Sequence, residues 1–217
     1  MFSELSSMFV QSFWETLVMV GISGVVGGLV GLPLGVLLFL TDRGGVLQSV
    51  ATNRAMGFLV NAVRSTPFII LLVAVIPLTR VVVGTSIGTA AAVVPLTIAC
   101  APFFARLVET ALREVDRGLI ETAQALGATT RQIVLKVLLP EALPGIVAGL
   151  TITFVSLVGY SAMAGAIGGG GLGDLGIRYG YQRFLPEVML AVVAILIVFV
   201  QLVQSFGDWL VRRLSHR

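Results

Sequence analysis

Three stretches of this sequence run for 20 residues or more without a charged side chain: 26 between Glu15 and Asp42, 25 between Arg80 and Arg106, and 20 between Glu187 and Asp208. A helix needs about 20 apolar residues to cross the ~30 Å hydrocarbon layer of a bilayer. A fourth run, Ala142 to Gly173, holds 32 uncharged residues. That exceeds one crossing and ends in a glycine cluster, so it reads as a helix to about Ile167 followed by a loop. A fifth candidate, about Ala55 to Leu78, is apolar except for Asn61 and Arg64. Composition points the same way: 57% of the residues are hydrophobic and 12% charged, against roughly 25% charged in a soluble domain. A chain this apolar cannot cover itself with a water-exposed shell. The expectation is an all-α membrane protein with five transmembrane helices, at about 17–40, 55–78, 84–105, 145–167 and 188–208, in one domain over 1–217.

No basic residue precedes Arg43, so the basic start of a signal peptide is missing and the first run is expected to be retained. With the N-terminus outside, eleven basic residues fall on the inner side, among them Arg106, Arg113, Arg117, Arg131 and Lys136 between the third and fourth spans, and three (Arg80, Arg178, Arg183) fall outside. The positive-inside rule therefore predicts an outer N-terminus and a cytoplasmic C-terminus, and it accounts for the +3 charge without a nucleic-acid partner. In the first span Gly21, Gly24, Gly27, Gly28, Gly31 and Gly35 recur at spacings of three and four, a smooth face for helix packing, while Pro33 removes a donor and is expected to kink the helix. The lone cysteine, Cys100, reads as a small buried hydrophobe and the lone histidine, His216, as a solvated tail residue, so no metal site is expected.

The one long charged region runs from Arg106 to Glu141. Its charges are mixed, as on a solvated helix face, and no pair among them reads as catalytic. Leu119, Ile120, Ala123 and Leu126 form a short apolar stripe, Gly127 stands where a helix stops, and Thr129 or Thr130 can cap a second helix bearing Ile133, Val134, Val137 and Leu138. Glu121, Ala123, Gly127, Val137, Leu139 and Pro140 resemble the EAA loop of ATP-binding-cassette (ABC) importer permeases: Glu-Ala-Ala, three residues, Gly, nine residues, Ile, one residue, Leu-Pro. Thr122 replaces the second alanine and Val137 the isoleucine. The runs RSTPFIILL, PLTRVVVGTSIG, VLLPEALPG and LVGYSAMAG narrow the likeness, from about Trp14 onward, to the methionine-importer branch.

The resemblance implies a type I ABC importer permease fold and a coupling segment over about 116–140 that docks on a cytoplasmic ATPase. It also implies a homodimeric membrane core with two ATPase subunits, an extracytoplasmic methionine-binding protein, and residence among the lipids of a bacterial inner membrane. No cofactor is implied on this chain; ATP and Mg belong to the partner ATPase. No GxxxxGK[ST] is present, and Gly168, Gly170 and Gly173 fit GxGxxG only formally, since they follow a membrane helix rather than a strand.

Polar and helix-breaking residues inside a bilayer are the first candidates for a transport path. Arg64, Ser65 and Pro67 suggest a kinked helix at such a path, or a structural hydrogen-bonding cluster. Ser156, Tyr160, Ser161 and Met163 precede GAIGGGGLGD, a segment expected to unwind and offer backbone groups to a zwitterion, with Tyr160 and Met163 lining a methionine cavity; ordinary helix packing is the alternative. Arg178, Tyr179, Tyr181 and Arg183 form either a docking rim for a binding protein or an aromatic belt, and Trp209 with Arg212, Arg213 and Arg217 reads as an interfacial anchor. A permease for another amino acid is the nearest alternative function. A secondary transporter fits less well, because the long uncharged runs hold no acid and five spans do not split into equal repeats, and a channel would not need the EAA arrangement.

Overall fold

A computed structural model describes residues 2–215; the tail readings on His216 and Arg217 lie outside the described residues. Helix α1 (Phe2–Thr41) is 40 residues long and runs unbroken through Pro33. It starts well before residue 17 and takes in Glu15. One face of it lies directly on α5 (Thr89–Arg113). A Cβ at Gly31 would stand 2.7 Å from the Ala101 carbonyl oxygen, and Cβ atoms at Gly27 and Gly35 would collide with the Cys100 side chain and the Ala105 carbonyl. The glycine stripe is therefore a packing surface. Gly21, with nothing within 4 Å, is not part of it.

Between α1 and α5 the expected straight second span is replaced by three pieces: α2 (Val50–Ser65), α3 (Phe68–Ala74) and α4 (Ile76–Val83). Thr66 and Pro67 take extended ψ angles of 125° and 134°, and the chain turns by 106° there. Proline excludes the residue before it from helical geometry, so the break falls where the sequence placed it, but its size makes α2–α3 a bent pair. The third expected span is also displaced. Helix α5 ends at Arg113 rather than near residue 105 and carries Glu109, so helices α1 and α5 do include acids.

After α5 come α6 (Arg117–Ala125) and α7 (Thr130–Ile133). A wide π turn (Val134–Leu138) joins α7 to α8 (Leu139–Ala164), so that Thr130–Gly169 is one helical run of 40 residues. The chain then reverses through a π turn (Gly165–Gly169), α9 (Gly171–Leu175) and a second π turn (Gly176–Gln182), and finishes in α10 (Pro186–Leu214). Among the described residues, four helical runs are long and apolar enough to cross a membrane, and α2–α3 makes five if the bent pair is one crossing. Helix α8 packs between α5 and α10. One core cluster, with Met19, Leu96, Cys100 and Leu157, sits toward α9; another, with Phe104, Val108, Leu112, Ile133 and Leu138, sits toward α6.

Around α9 the chain does leave helical geometry, at Ile167, Gly168 and Gly170, but the expectation of an exposed backbone is corrected. Helix α8 stays helical to Ala164, and the glycine-rich turn is folded tightly onto α1. Glu15 Oε2 accepts the Gly171 amide at 2.7 Å and Thr16 Oγ1 accepts the Leu172 amide at 2.9 Å, while Gly88 N–H donates to the Gly168 carbonyl at 2.8 Å. These backbone groups are already engaged, and a Cβ at Gly173 would strike the Ala162 backbone. The turn's glycines thus permit both the left-handed backbone angles of the kink and the close approach that engages it.

Candidate functional site

Helix α6 is punctuated at both ends by its own sequence. Asp116 caps it, its carboxylate accepting the Gly118 amide at 2.8 Å. At the other end Gly127 takes φ +77°, its amide donates to Gln124 O at 2.9 Å, and the Ala128 amide donates to Ala123 O at 3.0 Å. These two bonds form a Schellman stop, which favours glycine at the left-handed position. Two residues later Thr129 opens α7 with a reciprocal capping box to Gln132. The helix and the turn after it are thus locally determined, although α6 buries none of its residues.

The apolar stripe read from the sequence divides. Ile120 and Ala123 turn inward against the core under α7, whereas Leu119 and Leu126 are 44% and 83% exposed. Glu121 is exposed beside a cleft of about 280 Å³ that Asp42, Arg43, Arg113 and Arg117 also line. Thr122 is exposed, which makes its departure from the EAA pattern inexpensive. Val137 and Leu139 are half-buried and Pro140 lies in the first turn of α8. The side chains that seat this segment are instead Ile133 and Leu138, 1% and 0% exposed. The π turn between them shifts the helical register, and motif spacing carries no trace of that shift.

A charged network beside α6 was not legible as such in the sequence, where these residues read as a solvated face. Glu109 is 3% exposed. It accepts from Arg106 Nη1 at 2.6 Å and from Arg113 Nη2 at 2.7 Å, and Arg113 also pairs with Asp42 at 2.8 Å. Arg106 Nη2 reaches across to Asn61 Oδ1 at 3.1 Å and the Gly57 carbonyl at 3.4 Å on α2. The available signal was an acid with arginines three residues before and four after it, one helical face at the end of an apolar run.

Of the candidate path residues, the structure brings Arg64 and Tyr160 together. They share a small pocket of about 30 Å³ with Phe68 and Phe103. Tyr160 stacks on Phe68 at 4.6 Å between centroids, and the Arg64 guanidinium lies 5.9 Å from the Phe103 ring centroid. Pro67 precedes α3 at the bend. Ser65, Ser156 and Ser161 donate to carbonyls of their own helices, those of Asn61, Ile152 and Val158. Ser161 is buried, whereas Met163 is 48% exposed and lies with Ser156 and Tyr160 on one face of α8 by its spacing. On the α9 side Tyr179 is flanked by Arg178 and Arg183, at 5.9 and 4.4 Å from its ring centroid, and Arg178 pairs with Asp174. At the other end Arg213 lies over Trp209.

Comparison with known proteins adds five findings. Residues 31–216 match the family described as binding-protein-dependent transport system inner membrane component. A Vibrio cholerae protein named as a probable D-methionine transport system permease is 56% identical over 216 residues, covering 100% of this chain and 96% of the relative. The D-methionine transport system permease of Escherichia coli K12 is 57% identical over 158 residues, 73% of each chain. Among solved structures, a chain of the MetNI methionine ABC transporter in an inward-facing conformation superposes with a TM-score of 0.97 at 52% identity, over 98% of this chain and 99% of that one. An amino acid ABC transporter crystallised with histidines shares the fold, with a TM-score of 0.80 at 21% identity, over 98% and 96% of the two chains.

Proposed function

The chain belongs to the binding-protein-dependent transport system inner membrane components, and from that premise we propose that it is the membrane permease of an ATP-driven methionine importer with the type I ABC importer fold. The observation that carries the coupling role is α6: an exposed helix, fixed at both ends by local hydrogen bonds, whose Leu119 and Leu126 face away from the rest of the chain. Such a helix is built to be gripped from outside. The methionine assignment rests on the likeness to D-methionine permeases along the chain.

The permease works as a pair of identical copies with two ATPase subunits, which bind ATP and Mg and carry out hydrolysis. The end bearing α6 faces the cytoplasm and the α9 end faces outward, an orientation supported by Arg43, Arg113, Arg117, Arg131 and Lys136 clustering toward α6. The membrane is a bacterial inner membrane, and an extracytoplasmic methionine-binding protein delivers substrate to the α9 side. Glu121, Ala123, Gly127, Val137, Leu139 and Pro140 form the coupling segment. Only Glu114 to Asp116 separate α5 from α6, and only a four-residue turn separates α6 from α7 and α8. Closure of the ATPase subunits therefore displaces α5 and α8 together. Those two helices bear Phe103 and Tyr160, so the displacement reaches the pocket around Arg64 and opens it alternately to each side. Arg64, Ser65, Pro67, Ser156, Tyr160 and Met163 line the path in this reading; Ser161 contributes only by holding α8.

The test is reconstitution with the partner ATPase and binding protein in vesicles, measuring ATP-dependent uptake of labelled methionine against a panel of competing amino acids. Methionine is expected to compete best. Uptake driven by a proton gradient without ATP would overturn the proposal, and preferential uptake of another amino acid would reassign the substrate.

A further inference from the structure

Helix α2 carries Arg64 to the edge of the proposed path, yet it is poorly anchored by apolar contact. Val60 is its one buried residue, and Phe58 and Leu59 are 73% and 64% exposed. Two polar clamps hold it instead. Near its start, Asn53 Nδ2 donates to the Leu38 carbonyl at 2.7 Å and to Thr41 Oγ1 at 3.2 Å, fixing it to α1. Farther along, Asn61 and Gly57 accept from Arg106, fixing it to α5. Arg106 is in turn oriented by Glu109, which also holds Arg113, seven residues along α5 and three before the cap of α6.

Two features set this cluster apart from an incidental ion pair. Glu109 is enclosed while gripping two guanidinium groups, an arrangement in which a missing partner leaves an uncompensated buried charge. And Arg106 Nε is buried without an acceptor, although its two neighbouring nitrogens are both bonded. A guanidinium presents its donors in a rigid fork, so Arg106 holds Glu109 and Asn61 at once while its third nitrogen stays unpaired.

We infer that Arg106, oriented by Glu109, is a positioning residue that makes α2 follow the coupling end of the molecule. It rests on the importer reading above and names the route by which α6 reaches the bend at Thr66–Pro67. When α5 moves with α6, Arg106 carries α2 along through Asn61 and the Gly57 carbonyl. Motion of α5 and α8 alone would move Phe103 and Tyr160 but leave Arg64 behind.

The test uses the complete complex in vesicles and reads two quantities, labelled methionine taken up and phosphate released. Asn61→Ala removes the acceptor on α2 without touching the ion pair. The complex is expected to assemble and hydrolyse ATP, while methionine moved per ATP falls about ten-fold, the size expected for one lost hydrogen bond to a charged group. Asn61→Asp, which keeps an acceptor in place, is expected to preserve the ratio. An unchanged ratio in Asn61→Ala overturns the inference, and does so even if Glu109→Gln lowers uptake and hydrolysis together, since the network would then be structural only. A wild-type complex without ATP-driven uptake would overturn the importer reading itself, a different outcome from a coupled wild type with an unaltered variant.

Discussion

At the α9 end the chain reverses by pressing backbone against backbone: Gly173 lies on the Ala162 backbone, Gly171 against Met19 and Thr16, and the carboxylate of Glu15 closes the amide of Gly171. At the α6 end the chain reverses through a helix with no buried residue, two local caps and a set of ion pairs. Close packing has almost no slack, because interiors at crystal-like density resist even one added methyl group. A capped, solvent-facing helix keeps its own shape while remaining free to shift as a unit. The difference matches a molecule that is pushed at one end and braced at the other.

The comparison can be broken by substitution. The largest effect is expected at Gly173→Val, which forces a branched side chain against the Ala162 backbone and should cost about 3 kcal/mol, the upper end for overpacking, read as a lowered melting midpoint of the purified complex. Gly127→Pro follows. Proline cannot take φ +77° or donate the amide bond to Gln124, so coupled uptake should fall at least about ten-fold; nothing lies within 4 Å of a Cβ there, so the strain stays in the exposed turn and the melting midpoint should fall less than in Gly173→Val. A Gly127→Pro variant that transports normally would remove the distinction between the two ends. Glu15→Ala takes the anion from the Gly171 amide and should cost about 1 kcal/mol, the size of a lost helix cap, measured by the same melting assay. Smallest in stability is Leu126→Ser, expected within about 0.5 kcal/mol because the side chain is exposed; its effect should appear instead as weaker capture of the ATPase in a pull-down. Unaltered capture would argue that α6 is not the gripped surface.

Much of this was open to direct reading because it depends on short-range chemistry. Gly127 and Thr129 mark their helix ends by conformational preference and side-chain reach, and Pro67 marks its bend by steric exclusion. Long uncharged runs locate helices whatever they pack against. What escaped reading depends on partners far away in the chain. Glu15 and Gly171 are 156 residues apart, and Arg106 and Asn61 are 45 apart, so neither pairing leaves a local mark. The same holds for Ser161, a plausible path residue by composition that the rotation of α8 turns into the core. The glycine cluster was half legible for a related reason: the break in the helix follows from the glycines themselves, whereas the engagement of their backbone depends on Glu15, Thr16 and Gly88.

By itself the sequence determined the apolar solvent, the helical class and the resemblance to an importer family, since these follow from hydropathy, periodicity and a motif confined to 20 residues from Glu121 to Pro140. Only the tertiary structure decided which glycines pack, that the second span is bent by 106°, that Leu138 rather than Val137 is the buried anchor, and that Arg106 and Arg113, both held by Glu109, tie α5 to α2 and to Asp42. The physical reason is range: caps, turns and apolar runs act over a few residues, whereas packing and buried charge act between whichever helices the fold sets side by side.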